Sequence, residues 1–202
     1  MRNVPAKRKR RSYVFRGGKG CIFFLLLAVL VLAAVGLRGC TGLKNSILRQ
    51  QYPVKYQNFV EEYAKEFALD ADLVYAIIRT ESRFDPYAVS NAGAKGLMQL
   101  QDETARDCAE KLQQDIQIPD DLYDPQINIM LGCYYFSHLL EQFDGDLDHA
   151  IMAYNGGPGN VRKWMQDDTL SGQDGVHTIP FEETENYVRR VKDAYQIYQN
   201  LY

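Results

Sequence analysis

Apolar residues recur at helical spacing along most of the chain, and no run alternates convincingly between apolar and polar as a half-buried strand would. Asp70, Asp102 and Asp124 stand where side chains cap helices, and Pro125 suits a first helical position. The pattern predicts one compact all-α domain with Gly-bearing loops at 90–96 and 155–159. The predicted helices cover about 55–68, 71–82, 103–114, 125–143, 147–154, 161–165 and 182–200, with a polar loop over 167–180.

The helix predicted over 71–82 carries one acidic residue at an unusual place. Its apolar stripe is formed by Leu73, Val74, Ile77 and Ile78, and at about 100° per residue Glu81 falls in the middle of the same arc. A carboxyl among apolar side chains has a raised pKa, which is the state that a general acid needs near neutral pH. A glutamate that bends out to solvent at the helix end, or pairs with a buried partner, fits the stripe equally well.

A different pattern occupies the N-terminus. Residues 21–37 contain no charge, and as a helix they would span about 25 Å, the short end of what crosses a bilayer. Eight Lys and Arg residues precede this run. By the positive-inside rule we expect a basic cytoplasmic tail at 1–20, a transmembrane signal anchor at 21–38 and a juxtamembrane linker at 39–54. The rest of the chain would then lie outside the cytoplasmic membrane, as a single-pass membrane protein.

Two other fates of this segment stay open at the sequence level. The small residues of Ala34-Val35-Gly36 fit a cleavage site, which would release a secreted protein. Cys40 follows Gly39 and could be lipidated, although Arg38 is an unusual neighbour for such a site. In each case the domain that follows works outside the cytoplasmic membrane.

Composition and charge narrow the class of protein. The chain has 202 residues, of which 46% are apolar and 24% charged, so collagen, a fully disordered chain and a multi-span membrane protein are excluded. Nine of the 23 Lys and Arg residues lie in residues 1–40, which contain no Asp or Glu. Residues 41–202 contain the remaining 14 Lys and Arg residues and all 26 Asp and Glu residues. A domain with this excess of negative charge would repel the phosphates of nucleic acid. We therefore expect no nucleic-acid partner.

The cysteines and histidines suggest neither a metal site nor a nucleophile triad. No CxxC pair occurs among the four cysteines, and the three histidines are scattered. We expect no metal and no cofactor. Cys108 and Cys133 lie in the exported part, either as a disulfide or as two buried free thiols, and spacing alone does not decide between these states.

Three motifs follow one another beyond residue 80. The first is ESRFDPYAVS at 81–90, continued by GAKGLMQL at 93–100. The second is AYNGGPGNV at 153–161, and the third is PFEETENYV at 180–188. Together and in this order they resemble the motifs of the lytic transglycosylases of the soluble-lytic-transglycosylase (SLT) family, which have a goose-lysozyme-like fold. The resemblance covers about residues 55–200, and it implies an SLT catalytic domain at 55–202.

The resemblance implies an activity on peptidoglycan glycan strands. The enzyme would cleave the β-1,4 bond between N-acetylmuramic acid and N-acetylglucosamine and leave a 1,6-anhydromuramoyl end. Glu81 matches the family's catalytic acid, which would protonate the glycosidic oxygen and then accept the proton of the C6 hydroxyl. Seven other positions match residues that line the sugar cleft or lie near it: Ser90, Met98, Gln99, Tyr154, Asn155, Glu183 and Tyr187. Among them, Tyr154 matches a residue beside the catalytic Glu, where its hydroxyl would orient the carboxyl.

Two alternatives remain beside this interpretation. Most glycosidases use a pair of carboxyl groups, so a lysozyme-type hydrolase on the same fold would need a second carboxylate across the cleft. Asp85 is a doubtful partner because the chain turns toward Pro86. A glycan-binding scaffold without activity is the other alternative. One departure from the family pattern, Asp102 near the place where a proline usually precedes Thr-Ala, predicts a small local change in the loop.

Overall fold

The computed structural model describes residues 43–172 and 175–202. Residues 48–202 form one compact unit, and residues 43–51 are helical. The mostly helical architecture confirms the predicted all-α class. In chain order the elements are α1 (Gln57–Glu66), α2 (Ala71–Glu81), α3 (Asp102–Lys111), a 3₁₀ turn (Asp120–Tyr123), α4 (Pro125–Gln142), α5 (Leu147–Gly156), α6 (Pro158–Met165), the antiparallel strands β1 (Ser171–Gly172) and β2 (Gly175–Val176), and α7 (Glu182–Leu201).

Helix α2 forms the middle of the core and packs along α7. Its apolar stripe is buried as predicted, and Ile77 and Ile78 are fully inaccessible. Each such side chain stabilises the fold by about 2 kcal/mol relative to exposure. Helix α4 packs against α1, α3 and α5, and α5 packs in turn against α7. Glu81, the last residue of α2, lies near Tyr154 on α5 and Tyr187 on α7.

Two of the three predicted caps are confirmed. Asp70 accepts a hydrogen bond from the Asp72 N–H at 2.9 Å, and Asp124 accepts from the N–H groups of Gln126 and Ile127. The prediction for Asp102 is wrong. It is the first residue of α3, and its carboxylate pairs with Lys95 Nζ at 2.6 Å instead of capping the helix. This tertiary ion pair ties the loop before α3 to the helix, and the sequence pattern carries no sign of it.

Other differences are local. Helix α3 ends at Lys111 instead of near residue 114, and the short 3₁₀ turn before α4 was not predicted. The loop predicted over 167–180 contains the small β1–β2 hairpin, and part of the predicted 39–54 linker is helical. Cys108 and Cys133 are buried free thiols, which decides between the two states that the sequence left open.

The predicted basic tail at 1–20, the signal anchor at 21–38, the Ala34–Gly36 cleavage site and Cys40 lie outside the described residues. Within residues 43–172 and 175–202, no helix combines the length and apolar character needed to cross a bilayer.

Candidate active site

Glu81 is the last residue of α2, and the turn that follows it is held by Ser82. The Ser82 hydroxyl donates to the Ile78 carbonyl and accepts from the Phe84 N–H, both at 3.1 Å. Arg83 and Phe84 adopt positive φ angles of 54° and 65°, which reverse the chain immediately after the helix. Phe84 is buried, so the turn is anchored in the core and fixes the end of α2.

The Glu81 carboxyl is set apart by its electrostatic surroundings. Burial raises its pKa from 4.5 to about 7. The Tyr187 hydroxyl and the Arg190 guanidinium oppose this effect and lower the pKa, whereas the nearby charge of Glu183 raises it. At neutral pH the carboxyl therefore populates both protonation states, as a group that first donates and then accepts a proton must.

Two tyrosines lie beside this carboxyl, one on α5 and one on α7. The Tyr154 hydroxyl donates to the Met98 carbonyl at 2.8 Å, so its proton is committed and only its oxygen remains free to accept. The Tyr187 hydroxyl is buried, and in the part of the chain that the structure describes no group forms a complete hydrogen bond with it. It faces Glu81 as a polar contact. Burial, followed by the charge of Glu81, raises the pKa of both tyrosines, so both stay neutral.

Met98 is placed by a buried asparagine that sequence reasoning missed. Asn128 on α4 is fully inaccessible, and its Oδ1 accepts from the Met98 N–H at 2.7 Å. Its Nδ2 donates to the carbonyls of Lys95 at 3.0 Å and Leu122 at 2.9 Å. The available signal was a polar residue between two isoleucines in an apolar helical run. Asn128 therefore holds both the loop after α2 and the 3₁₀ turn against α4.

Two glycines let this loop approach α4. A Cβ on Gly96, whose φ is +78°, would lie 2.2 Å from Asn128 Nδ2 and 2.3 Å from the Leu122 carbonyl oxygen. A Cβ on Gly132 would lie 2.3 Å from the sulfur of Met98. Both positions require the absence of a side chain.

Gln99 and Ser90 are bound to their own loop. The Gln99 side-chain amide donates to the carbonyls of Ala88 at 3.0 Å and Gly96 at 2.9 Å, and Ser90 Oγ accepts from the Ala94 N–H at 3.1 Å. No hydrogen bond joins either residue to Glu81 within residues 43–172 and 175–202. These contacts shape the loop, with the Ser90 side chain exposed at its outer end.

The second and third motifs are joined by a pair of side chains. Thr184 Oγ1, near the start of α7, donates to Asn155 Oδ1 at 2.9 Å. Thr184 is buried, and it lies three residues before Tyr187 on the same face of the helix. Sequence reasoning did not identify Thr184 or Arg190. Glu183 is exposed, and its charge reaches Glu81. The structure thus brings Glu81, Met98, Tyr154, Asn155, Glu183 and Tyr187 into one neighbourhood.

Comparison with known proteins identifies a family model and relatives that match most of the described domain. The family model described as the transglycosylase SLT domain matches residues 58–174. The soluble lytic murein transglycosylase of Salmonella typhimurium is 33% identical over 154 residues, which cover 75% of this chain and 24% of that protein. The chain thus spans about a quarter of the length of the curated relatives it matches.

Solved structures share the fold. An inactive Glu-to-Gln mutant of the lytic transglycosylase Slt from Pseudomonas aeruginosa matches with a TM-score of 0.68 and 35% identity, over 76% of this chain and 25% of that one. The 70 kDa soluble lytic transglycosylase from Escherichia coli matches with a TM-score of 0.70 and 31% identity, again over 76% of this chain and 25% of that one.

Proposed function

The chain belongs to the transglycosylase SLT domain family, and from that premise we propose that it is a peptidoglycan lytic transglycosylase. It cleaves the β-1,4 bond between N-acetylmuramic acid and N-acetylglucosamine and leaves a 1,6-anhydromuramoyl end. The observation that carries the proposal is the position of Glu81, a shielded carboxyl at the end of α2 with two neutral tyrosine hydroxyls beside it.

In the first step the protonated Glu81 gives its proton to the glycosidic oxygen. The bond from that oxygen to C1 of the muramoyl residue breaks, and the N-acetylglucosamine side leaves with a C4 hydroxyl. The carbonyl oxygen of the muramoyl N-acetyl group bonds to C1 as the glycosidic bond breaks, so no second protein carboxylate is needed as a nucleophile. Because burial raises the pKa of Glu81 to about 7, the acid form is available near neutral pH.

In the second step the Glu81 carboxylate takes the proton of the C6 hydroxyl, and O6 forms a bond to C1. The bond between C1 and the N-acetyl oxygen breaks at the same time, which restores the acetamido group. The proton lost in the first step is thus restored, and no water is consumed. Tyr187 and Arg190 both favour the carboxylate form, so they stabilise Glu81 in the state that exists between the two steps. Burial and these two neighbours act in opposite directions on one pKa, as a group with two roles requires.

The other predicted site residues receive roles in this proposal. Met98 and Tyr154 would contact the sugars together, because the Tyr154 hydroxyl is bonded to the Met98 carbonyl. Asn155, Glu183 and Tyr187 would contact them from the region where α5 meets α7. Gln99 and Ser90 shape the loop that faces the glycan strand.

One observation favours a second candidate, a lysozyme-type hydrolase. The charge of Glu183 reaches Glu81, so a second carboxylate exists at the site. In a hydrolase it would activate water, and the product would be an ordinary reducing end instead of an anhydro end. The two products differ by one water molecule, which a mass spectrum resolves.

The test is mass spectrometry of peptidoglycan digested by the purified chain. Glu81→Gln keeps the shape of the side chain and removes the acid, so we expect cleavage to fall by about 10²- to 10⁴-fold. Glu182→Gln, at an exposed position one residue before Glu183, is the matched control and should retain activity. Anhydromuramoyl ends that disappear in Glu81→Gln support the proposal. Reducing ends that require both Glu81 and Glu183 favour the hydrolase, and a folded protein that binds glycan without cleaving it indicates a scaffold.

We also propose that residues 21–38 anchor the domain in the cytoplasmic membrane with the N-terminus inside. The support is the uncharged run at 21–37 after eight cations. Protease added to intact cells stripped of their wall should remove the domain, and the remainder should stay in the membrane fraction. Recovery of the domain from the medium with a new N-terminus after Gly36 would contradict the anchor.

A further inference from the structure

A buried histidine that the proposed reaction does not use lies under the β1–β2 hairpin. His149 is in the first turn of α5 and is only 6% exposed. Its Nε2 accepts a hydrogen bond from the Val176 N–H of β2 at 3.3 Å. Its Nδ1 lies 3.2 Å from the carboxylate of Asp146, which caps α5. Because a nitrogen that accepts a hydrogen bond carries no proton, the ring is neutral here, with its single proton on Nδ1.

The hairpin backbone lies directly against the edge of the ring that carries Nε2. A Cβ on Gly175, whose φ is +106°, would lie 2.8 Å from Cε1 and 3.0 Å from Nε2 of His149. Val176 pairs with Ser171 in the antiparallel ladder, so β1 is held through β2. Protonation would add an N–H at Nε2 that faces the Val176 N–H. Two donors cannot bond to each other, and a buried donor without an acceptor destabilises its surroundings, so the hairpin has to move away.

The charged groups closest to the ring are carboxylates. Those that share its two neighbouring pockets are Asp144, Asp146 and Asp148. Carboxylates stabilise a nearby positive charge, so the ring of His149 can take up a proton without leaving its place on α5. The hairpin is then the part that yields.

The other titratable groups around the ring do not replace the contact with the hairpin. His177, which follows β2, has its ring against Gly172. Within residues 43–172 and 175–202, the Val176 N–H is the one hydrogen-bond partner of His149 Nε2. The cations on neighbouring helices have other partners: Lys192 on α7 pairs with Asp148, and Arg162 on α6 bonds to Gln142.

The hairpin is connected to the start of α7 through Trp164. The Ser171 hydroxyl of β1 donates to the Trp164 carbonyl at 2.7 Å. The buried Trp164 ring packs edge-on against Phe181, which immediately precedes α7, with ring centres 5.2 Å apart. A Cβ on Gly156 would lie 3.1 Å from Thr184 Oγ1 and 3.2 Å from the Trp164 ring, so these two side chains meet at one place. A movement of the hairpin therefore reaches the first turn of α7.

We propose that neutral His149 is a positioning residue, which holds the hairpin on α5 and, through Trp164, the start of α7, and that its protonation releases both. The effect on activity rests on the proposed function, whereas the release of the hairpin does not. Histidine changes its charge between about pH 5 and 8, so the hairpin is held at neutral pH and loosened in acid.

Hydrogen exchange of the purified chain, measured by mass spectrometry on the peptide that contains β2, tests the release. Corrected for the intrinsic exchange rate, protection should fall by about 10-fold from pH 8 to pH 5, as the loss of one hydrogen bond predicts. His149→Gln offers an amide oxygen that accepts at every pH, so its protection should stay constant. His138→Gln, at a partly exposed position on α4, is the matched control and should keep the fall.

The unmodified chain provides a second measurement, which remains valid should His149→Gln lose its thermal transition. The chain contains three histidines, so NMR of histidine labelled with ¹³C at Cε1 can follow each ring, with His138→Gln and His177→Gln for assignment. The midpoint for His149 should coincide with the loss of protection at β2. A loss that persists in His149→Gln, or that follows the His177 ring instead, would overturn the inference.

The acid side of the activity profile gives a readout that a purely structural role would not change. Glu81 has to be protonated in the free enzyme, so its own titration produces only the alkaline limb of kcat/KM. We expect an acid limb of about 10-fold that His149→Gln removes and His138→Gln keeps. An absent or unchanged acid limb would overturn the connection to α7. If the chain cleaves no peptidoglycan at all, the proposed function fails, and hydrogen exchange and NMR still decide whether His149 holds the hairpin.

Discussion

Two regions of the protein shield polar side chains from water, but they differ in whether the polar atoms form hydrogen bonds. Around Asn128 every polar atom of the side chain is paired, with one bond accepted and two donated. Around Glu81 the carboxyl is largely shielded from water although the residue is not fully buried, and the Tyr187 hydroxyl beside it lacks a complete hydrogen bond in the described part of the chain. The backbone of Met98 touches both regions, because its N–H donates to Asn128 and its carbonyl accepts from Tyr154.

The difference separates a scaffold from the site that we propose to be reactive. A fully paired polar group lowers the energy of one arrangement and resists change, whereas an incompletely paired carboxyl can change its protonation state. An unpaired hydroxyl alone does not mark a reactive site. Tyr75 also lacks a partner within residues 43–172 and 175–202, but the carboxylates that raise its pKa are Glu61 and Asp72. The combination with a shielded carboxyl distinguishes Tyr187.

The largest effect on stability should come from the scaffold side. Asn128→Ala leaves the Met98 N–H and the Leu122 carbonyl without partners and removes one of the two bonds to the Lys95 carbonyl. We expect a loss of about 3–5 kcal/mol in the free energy of unfolding. Urea denaturation measures it. Asn160→Ala, which removes a single bond to the Gly156 carbonyl, is the matched control and should lose about 1 kcal/mol. Equal losses would show that the Asn128 bonds do not act as a network.

The shielded carboxyl of Glu81 should make the free energy of unfolding depend on pH. Glu81 has a pKa of about 7 in the folded protein against an ordinary value of 4.5, so the folded state binds the extra proton between these values. The stabilisation is therefore complete below pH 4.5 and is lost as the pH rises through 7, by about 3 kcal/mol in total. Glu81→Gln lacks this proton, and the difference in unfolding free energy between the two proteins should follow that course. Parallel curves from pH 4 to 8 would contradict a shielded carboxyl.

The same two regions show how far sequence reasoning reaches. The place of Glu81 on the apolar stripe of its helix was predicted because helical periodicity is local, and the Asp70 and Asp124 caps were predicted because a cap contacts its own helix. Asn128 was missed because its partners lie up to 33 residues away. Arg190 and Thr184 were missed because only the packing of α7 against α2 and α5 gives them a role. Asp102 was misjudged as a cap because its ion pair with Lys95 is tertiary.

A smaller effect should separate two glycines of the same loop. Both Gly93 and Gly96 have positive φ, of +85° and +78°, so alanine is strained at either position by about 1–2 kcal/mol. A Cβ at Gly93 meets nothing within 4 Å, whereas one at Gly96 meets the Leu122 carbonyl at 2.3 Å. We expect Gly96→Ala to cost about 2 kcal/mol more than Gly93→Ala in urea denaturation, because backbone must move. Similar losses in the free energy of unfolding for the two variants would mean that the loop is not in close contact with its neighbours at Gly96.

The smallest effect should come from removing one hydroxyl on the reactive side. Tyr187→Phe deletes a buried group without a complete hydrogen bond, so the free energy of unfolding should change by less than about 1 kcal/mol. The Tyr187 hydroxyl lowers the pKa of Glu81, so its loss raises that pKa further. The first step needs protonated Glu81, and the alkaline limb of kcat/KM should therefore move to higher pH. Tyr154→Phe is the matched control, because it breaks a bond to the Met98 carbonyl and should destabilise the fold by about 1 kcal/mol or more. The opposite result would be a Tyr187→Phe variant that is destabilised as much as Tyr154→Phe and has an unchanged pH profile of kcat/KM. Tyr187 would then be a structural residue like Asn128, and the contrast between the two regions would not hold.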